Sequence, residues 1–251
     1  MNLQPLVAFF ILDMKNTLRD RVAIGMLFLF PLVLYLFFGS FFGAMATPES
    51  AKRYYDQYTI SFISVILLNI AVLNLGPTIV LAKEGGLFRR LMVTPLKVSD
   101  LWLSSVLRTL VIFVIGYAQM IVAGRVFLGQ WPTASIGQLA VPALISAFTM
   151  LSFGFLLGAI YKQPVAAFNG GMLLIQPMLL LSGAGMPISS FPHWAEVIAR
   201  LLPFTYVVEI MKMGWNNAFF VSAAITPTLI LLAIGVVSAV AATRIFRAEF
   251  C

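Results

Sequence analysis

One cysteine, Cys251, one histidine, His193, and a charged fraction of only 10% are what this 251-residue sequence has least of. A single thiol permits no internal disulfide and supplies too few ligands for a structural zinc or iron-sulfur centre. The lone imidazole is equally poor in company. Glu196 stands three residues away, but no second imidazole or thiol joins them, and Trp194 beside His193 fits an interfacial anchor better than a metal site. Soluble domains carry about 25% charged and roughly 45–50% apolar residues. Here 61% of residues are hydrophobic and the mean hydropathy is +1.00, which excludes a water-soluble domain along with disordered, collagen-like and disulfide-scaffold chains. Also missing is any Gly-x-x-x-x-Gly-Lys-Ser/Thr sequence, so the chain cannot cradle a nucleotide by itself. No carboxylate lies deep inside an uninterrupted apolar run, which leaves an ion-coupled carrier without its relay residue. No repeat with a period of about 20–50 residues is visible, nor two matching halves, which argues against an inverted-repeat carrier.

What the sequence does contain is apolar runs of membrane-crossing length, near 20 residues each. Residues 3–20 space Leu3, Val7, Phe10, Met14 and Leu18 by threes and fours, with Asp13, Lys15, Arg19 and Asp20 elsewhere around the helix. Residues 1–21 therefore read as an amphipathic interfacial helix, and 22–251 as the membrane unit. Six spans are expected in the second unit, and the fold class is an all-α membrane protein. The first is 22–46, where Pro31 is tolerable because neighbours can satisfy the carbonyl it frees. The second is 58–82, after a charge-mixed connection at 47–57. The third lies within 101–127, with Arg108 near enough to its start to snorkel to headgroups. The fourth ends at Tyr161-Lys162, the fifth covers 165–186, and the sixth covers 223–243. Between the last two, 187–220 breaks into short amphipathic pieces, expected to be two short helices dipping into the outer interface. No positive n-region opens the chain, so no removable signal peptide is expected.

The excess of 16 Lys+Arg over 9 Asp+Glu would suggest nucleic acid in a soluble protein. Here the bases fall between apolar runs, as the positive-inside rule requires, and nucleic acid is excluded as a partner. With both termini cytoplasmic, the inner segments hold Lys15, Arg19, Arg21, Lys83, Arg89, Arg90, Lys97, Arg108, Lys162, Arg244 and Arg247, the majority of the bases.

The segment 83–100 is the most charged one between two spans. Within it, 87–93 can form a helix of under two turns, with Leu87, Phe88, Leu91 and Met92 as an apolar flank and Arg89 and Arg90 as a basic one, bounded by Gly85-Gly86 and Pro95. Such a knob can dock in a groove of a cytoplasmic partner, or its bases can simply fix topology and touch anionic lipid. On pattern alone the two readings stand level. Small residues at Gly39 and Gly43, and again at Gly154 and Gly158, offer close-packing ridges, either within the chain or at a dimer contact. Asn169 and Gln176, seven apart, share a helical face, whereas Asn69 and Asn74, five apart, do not do so neatly. Amides in hydrocarbon are expected to face a cavity or another helix.

Glu84-Gly85-Gly86-Leu87 followed by Leu91-Met92-Val93-Thr94-Pro95-Leu96 closely resembles the segment after the second span in permeases of the type-2 ABC exporter family. A second stretch resembles that family's region before the final span: Met186-Pro187-Ile188-Ser189, Pro192-His193-Trp194, Ile198-Ala199-Arg200, and the run from Leu202 to Glu209. Phe88-Arg89-Arg90 departs from the pattern, since the family often carries an acidic residue near there. The resemblance implies a homodimer or heterodimer of permeases joined to two copies of an ATP-binding subunit, which would carry the ATP and magnesium while this chain binds no cofactor. It implies that Glu84, Gly85, Gly86, Leu87, Phe88, Arg89, Arg90 and Leu91 couple the chain to that ATPase. It further implies that the 3–20 helix lies beside the ATPase and that the first, second and fifth spans line the translocation path near the dimer axis. Asn69, Asn74, Asn169 and Gln176 are then candidates for the path, and Gly39 and Gly43 for the dimer contact. The many Phe and Met residues suggest a greasy cavity, which favours a hydrophobic or amphipathic cargo, drug-like or lipid-like, over a polysaccharide or lipid-linked glycan. An intramembrane lipid-modifying enzyme is the rival from another class. It would need a polar cluster near an interface, and the only one, around His193 to Arg200, reads as structural. The resemblance also places the chain in a cell membrane of bacterial inner-membrane type.

Overall fold

The computed structural model describes the backbone of residues 3–44, 48–86, 98–185 and 188–250. Among them every regular element is helical. Helix α1 is Leu3–Arg19. Helix α2 covers 21–44 as Arg21–Ile24, a wide π turn at Gly25–Leu29, and Phe30–Ala44. Helix α3 covers 48–84 as Pro48–Asn69, a second π turn at Ile70–Leu75, and Gly76–Glu84. There follow α4 (Val98–Leu128), α5 (Ile136–Ile160), α6 (Pro164–Leu181), α7 (His193–Leu201), α8 (Pro203–Trp215) and α9 (Ile225–Phe250).

The helix starts follow from local chemistry. Ser135 caps α5 by accepting from the Gln138 amide at 3.4 Å, and proline opens α6 and α8, where its missing N–H costs nothing. Proline also explains the π turns. Pro31 and Pro77 each sit just after one, and a proline removes a helical donor and crowds the carbonyl of the turn before it. Widening that turn relieves the clash and leaves carbonyls to be satisfied from outside. In α2, Gln119 of α4 donates to the Phe28 carbonyl at 3.1 Å. In α3, the Thr78 hydroxyl donates to the Asn74 carbonyl at 2.7 Å.

Five stretches are long and apolar enough to cross a membrane: Tyr54–Glu84, Leu103–Phe127, Ile136–Ile160, Pro164–Leu181 and Ser222–Phe246. Gly25–Ser40 is a shorter apolar helix in the place of the expected first span. Helix α3 is the hub, packed against α2, α4, α5, α6 and α8. Its residues Ile63, Ile66, Leu67, Leu68, Ile70, Ala71, Val72 and Leu75 are almost wholly buried, as a helix that is apolar all round must be.

Several expectations need correction. Of the connection expected at 47–57, residues 48–57 are the first part of α3, because Pro48 and Glu49 suit a helix start and Tyr54 and Tyr55 bury against the bundle. Gly154 and Gly158, open in the sequence between packing within the chain and a dimer contact, serve the former. A Cβ on Gly154 would overlap the Ala71 carbonyl of α3, and one on Gly158 would come within 2.9 Å of Ile79 Cβ, so the two glycines let α5 and α3 touch backbone to backbone. Arg108 is 2% exposed and held by protein groups, and it does not snorkel. Among the described side chains of the α1 stripe, Met14 packs against the core and Phe10 is half-buried. Val7, Ile11 and Leu18 are exposed, because the partners offered to Arg108, Asp13 and Thr17, turn their own flank into the seam.

The two short helices expected before the last span are present as α7 and α8. Helix α8 is seated in the bundle, with Phe204, Val207, Ile210 and Met211 buried, while α7 leaves Trp194 and Leu201 exposed.

Candidate functional site

Three regions concentrate the chemistry. The first is the end of the bundle where α3, α5 and α9 finish together. Lys83 donates from Nζ to the Ala159 carbonyl at 3.1 Å and stands 5.1 Å from the centre of the Phe246 ring. The last turn of α3 is thereby tied to the last turns of α5 and α9. Beyond it Glu84 and Gly85 are exposed. The Gly85 amide donates to the Leu81 carbonyl at 2.9 Å, and the Gly86 amide to that of Lys83 at 3.1 Å. Gly86 has φ +66°, the left-handed conformation that ends helices and that a side chain resists. Leu87, Phe88, Arg89, Arg90 and Leu91, the rest of the expected coupling segment, lie outside the described residues.

Across the same end, α1 lies against α4. Arg108 Nε is 2.9 Å from Asp13 Oδ2, an ion-pair contact rather than an aligned hydrogen bond, and Nη1 donates to Thr17 Oγ1 at 2.7 Å. The Asp13 side chain is 17% exposed. Its carboxyl is held above its ordinary pKa because burial outweighs the pull of Arg108. Arg108 Nη2 and, one turn earlier, Ser104 Oγ are buried with no partner among the described residues.

The second region is a cavity of about 290 Å³ between α2, α3 and α6. Phe38 comes from α2; Tyr54, Tyr58, Phe62 and Val65 from α3; Leu179 from α6; Ala184 and Gly185 close it. Its aromatic wall is fixed by mutual contacts. Tyr54 stacks on Tyr58 with ring centres 4.9 Å apart, and the buried Tyr35 meets Phe62 edge-on at 5.6 Å. The polar atoms of this wall are largely spent on the chain itself. The Tyr54 hydroxyl donates to the Tyr35 carbonyl at 3.0 Å, Tyr35 and Thr59 share a hydrogen bond of 2.8 Å, and the Ser61 hydroxyl donates to the Gln57 carbonyl at 3.2 Å.

The third region, at the opposite end of α3, is an open cleft of about 400 Å³ lined by Glu49, Lys52, Asp56, Gln57, Lys212 and Asn216. Trp215 Nε1 donates to Asp56 Oδ1 at 3.3 Å, and Lys212 Nζ donates to the Gly183 carbonyl at 2.6 Å. Burial pushes the pKa of Lys212 down.

The remaining candidates are scattered. Asn169 and Gln176 are both exposed on α6. Asn69 and Asn74 are half-buried, and the Asn74 amide oxygen has no partner. Asn69 directly precedes the π turn and Asn74 lies within it; its hydrogen bonds run five residues back, so positions five apart come closer to one face than in an α-helix. The sequence spacing, judged on α-helical geometry, did not put them neatly on one face. None of the four lines the aromatic cavity. Gly39 is buried, while the surroundings of Gly43 lie outside what is described. His193 is exposed, and Glu196 pairs with Arg200 one turn on, at 2.7 Å. Among the described residues no three His, Cys, Asp or Glu side chains gather to hold a metal.

Sequence reasoning passed over two features. The Asp13–Arg108 pair was announced by an arginine inside an apolar run, a residue that must find a partner when buried. The tyrosines at 35, 54 and 58 carried no such signal, since aromatic residues at helical spacing occur throughout the chain.

These features define an integral, multi-pass, all-helical membrane protein with an aromatic cavity among its spans. Its sequence matches the profile of the ABC-2 type transporter family over residues 6–215. The chain belongs to that family. It is 24% identical over 131 residues to a probable multidrug ABC transporter permease, YbhR, of Escherichia coli, covering 52% of this chain and 35% of the relative. It is 25% identical over 188 residues to the putative transport permease ycf38 of Porphyra purpurea, covering 73% and 64%. Nodulation protein J of Sinorhizobium fredii shares 28% over 98 residues, covering 39% and 36%. The chain thus spans between about a third and two thirds of the length of these relatives.

Proposed function

We propose that this chain is the membrane-spanning permease subunit of an ATP-driven exporter that moves a hydrophobic or amphipathic compound, drug-like or lipid-like, out of the cytoplasm or inner leaflet. Residues 22–251 form a six-span permease unit in which Gly25–Ser40 is the first span, and 1–21 form its interfacial helix. Two ATP-binding subunits supply ATP and magnesium, and a second permease copy completes the assembly. Both termini face the cytoplasm of a bacterial inner membrane. Glu84 to Leu91 take up the stroke of the ATPase. Asn69, Asn74, Asn169 and Gln176 serve the translocation path, and Gly39 and Gly43 the dimer contact.

The observation that carries the cargo class is the aromatic cavity. It lies between α2, α3 and α6, the first, second and fifth spans of this reading, and the Tyr54 and Ser61 hydroxyls of its wall are already engaged within the chain. A glycan needs dense hydrogen bonding that such a wall does not offer, whereas an apolar or amphipathic molecule gains from burial there.

Filling the cavity tests this reading. Val65→Trp and Leu179→Trp project bulk into about 290 Å³. In nanodiscs with the cognate ATPase, both variants should assemble normally yet lose stimulation of ATP hydrolysis by lipophilic compounds. Stimulation equal to the parent's would show that cargo binds elsewhere. Joint truncation of Leu87 and Leu91 should abolish the effect of this subunit on ATP hydrolysis; an unchanged effect would remove the coupling assignment. Replacing His193 and Glu196 together should leave activity intact, and total loss with normal assembly would favour the enzyme instead.

A further inference from the structure

Arg108 is the charge most thoroughly buried among the described residues, and the proposed cargo path makes no use of it. It stands about three turns into α4, which begins just after the proposed coupling segment, and among the described residues its polar side-chain contacts go to one other helix. Nε meets Asp13 at 2.9 Å and Nη1 donates to Thr17 at 2.7 Å, both on α1 and four residues apart, so that they present one face to the guanidinium. Arg108 and Ser104 likewise share one face of α4 and are 2% and 0% exposed.

The cluster is poorly suited to raising stability. Taking both charges out of water costs about what their attraction returns, and a well-packed apolar pair of similar volume holds two helices at least as firmly. Arg108 Nη2 and Ser104 Oγ add buried polar atoms without partners. What the Nη1 hydrogen bond to Thr17, beside the ion-pair contact of Nε with Asp13, supplies is a fixed position. It fixes both the rotation of α1 about its axis and its height along α4, which greasy contacts leave free to slide.

We propose that Asp13, Thr17 and Arg108 are a positioning latch that locks α1 to α4, so that the amphipathic helix and the third span move as one body when the ATPase drives the coupling segment. The functional half of this proposal rests on the coupling role assigned above to Glu84–Leu91. The latch half does not. The other stem of the same segment is tied differently, because Lys83 fastens the end of α3 to α5 and α9. The two stems are therefore tied to different neighbours at this end, while α3 and α4 also pack on each other. A push between them opens one against the other and does not dissipate in a loose α1.

The test uses the full chain with its ATPase in nanodiscs. In a Cys251→Ser background, spin labels at the exposed positions Lys15→Cys and Val111→Cys report the α1–α4 distance. The parent should give one narrow distance that is the same without nucleotide and with a trapped ATP analogue. Asp13→Asn and Arg108→Gln should broaden it, and the reversed pair Asp13→Arg with Arg108→Asp should narrow it again. A parent distance that changes between nucleotide states overturns the latch, as does a distribution indifferent to either single variant. The second readout is the part of ATP hydrolysis that depends on this subunit. It should fall about tenfold in each single variant, within the usual range of coupling between distant sites, with assembly retained and with recovery in the reversed pair. A loss matched by loss of assembly, without recovery, marks the residues as merely structural. If truncating Leu87 and Leu91 leaves hydrolysis unchanged, the coupling role fails while the spin-label distances still decide the latch.

Discussion

Gly154→Ala sets two effects of opposite sign against each other. Inside a helix alanine is favoured over glycine by roughly 0.8–1.0 kcal/mol. At position 154, however, the new Cβ would overlap the Ala71 carbonyl oxygen and lie 3.3 Å from Ala71 Cα. The obstacle is backbone, which has no rotamer to yield, so α3 and α5 must separate by roughly 1 Å to restore ordinary contact. A gap of that size forfeits about a quarter to a half of the attraction of each atom pair facing it. Ala71, Val72, Leu75, Met150, Leu151 and Leu157 are all buried on the two helices concerned. Overpacking costs about 1–3 kcal/mol, and against backbone that cannot yield it falls in the upper part, about 2–3 kcal/mol, so after the gain in propensity a net loss of about 1–2 kcal/mol is expected. Gly25→Ala is the control, because a Cβ there meets nothing within 4 Å; only the propensity gain should remain. Thermal unfolding in detergent micelles, followed by tryptophan fluorescence, reads both. The midpoint should fall by several degrees for Gly154→Ala and hold or rise for Gly25→Ala. An alanine at 154 that leaves the midpoint unchanged or raises it would refute the close approach of α3 and α5.

Other substitutions probe the remaining contacts. Tyr35→Phe leaves Thr59 without its 2.8 Å partner in a site from which water is excluded. It should cost about 1–2 kcal/mol, and Tyr35→Phe with Thr59→Val should recover part of that loss in the same assay. Lys83→Met removes the bond to Ala159 and the contact with Phe246, for an expected loss of about 1–3 kcal/mol and faster proteolysis near Gly85-Gly86. For Lys212 the sign runs the other way. Its pKa in the folded chain is depressed below the ordinary 10.5 by burial, so the unfolded chain binds more protons in the alkaline window below that value. Stability contributed by this group therefore rises as pH increases through the window. Unfolding midpoints measured across mildly alkaline pH should show that rise in the parent and lose it in Lys212→Met.

Much of the helix pattern could be read from residue order, because runs such as 136–160 and 225–243 are apolar throughout and bounded by prolines, glycines or charges. The start of α3 could not. Glu49, Lys52, Arg53 and Asp56 look like a solvated connection until Tyr54 and Tyr55, on the opposite flank, find the bundle. Arg108 misled for a related reason: burial of a guanidinium depends on whether another helix brings a carboxylate, and Asp13 is ninety-five residues away in sequence. The aromatic cavity was foreseen in character but not in place, since Phe and Tyr recur along most spans and only the mutual approach of α2, α3 and α6 decides which of them form its wall. The Gly154 and Gly158 ridge was visible as spacing, yet spacing is silent on whether the facing backbone belongs to the same chain.

The π turns have a geometric corollary for α3. Each α-helical residue advances the wheel by about 100° and 1.5 Å, and the extra residue accommodated at Ile70–Leu75 resets that phase for everything beyond Gly76. Excising one amino acid from the wide turn would let the coil close to uniform pitch and twist its final nine residues by roughly a quarter of a revolution. Lys83 would then swing off Ala159 although no residue near either had been altered. Between Asn69 and Gly76 the chain is therefore constrained in length more tightly than in composition.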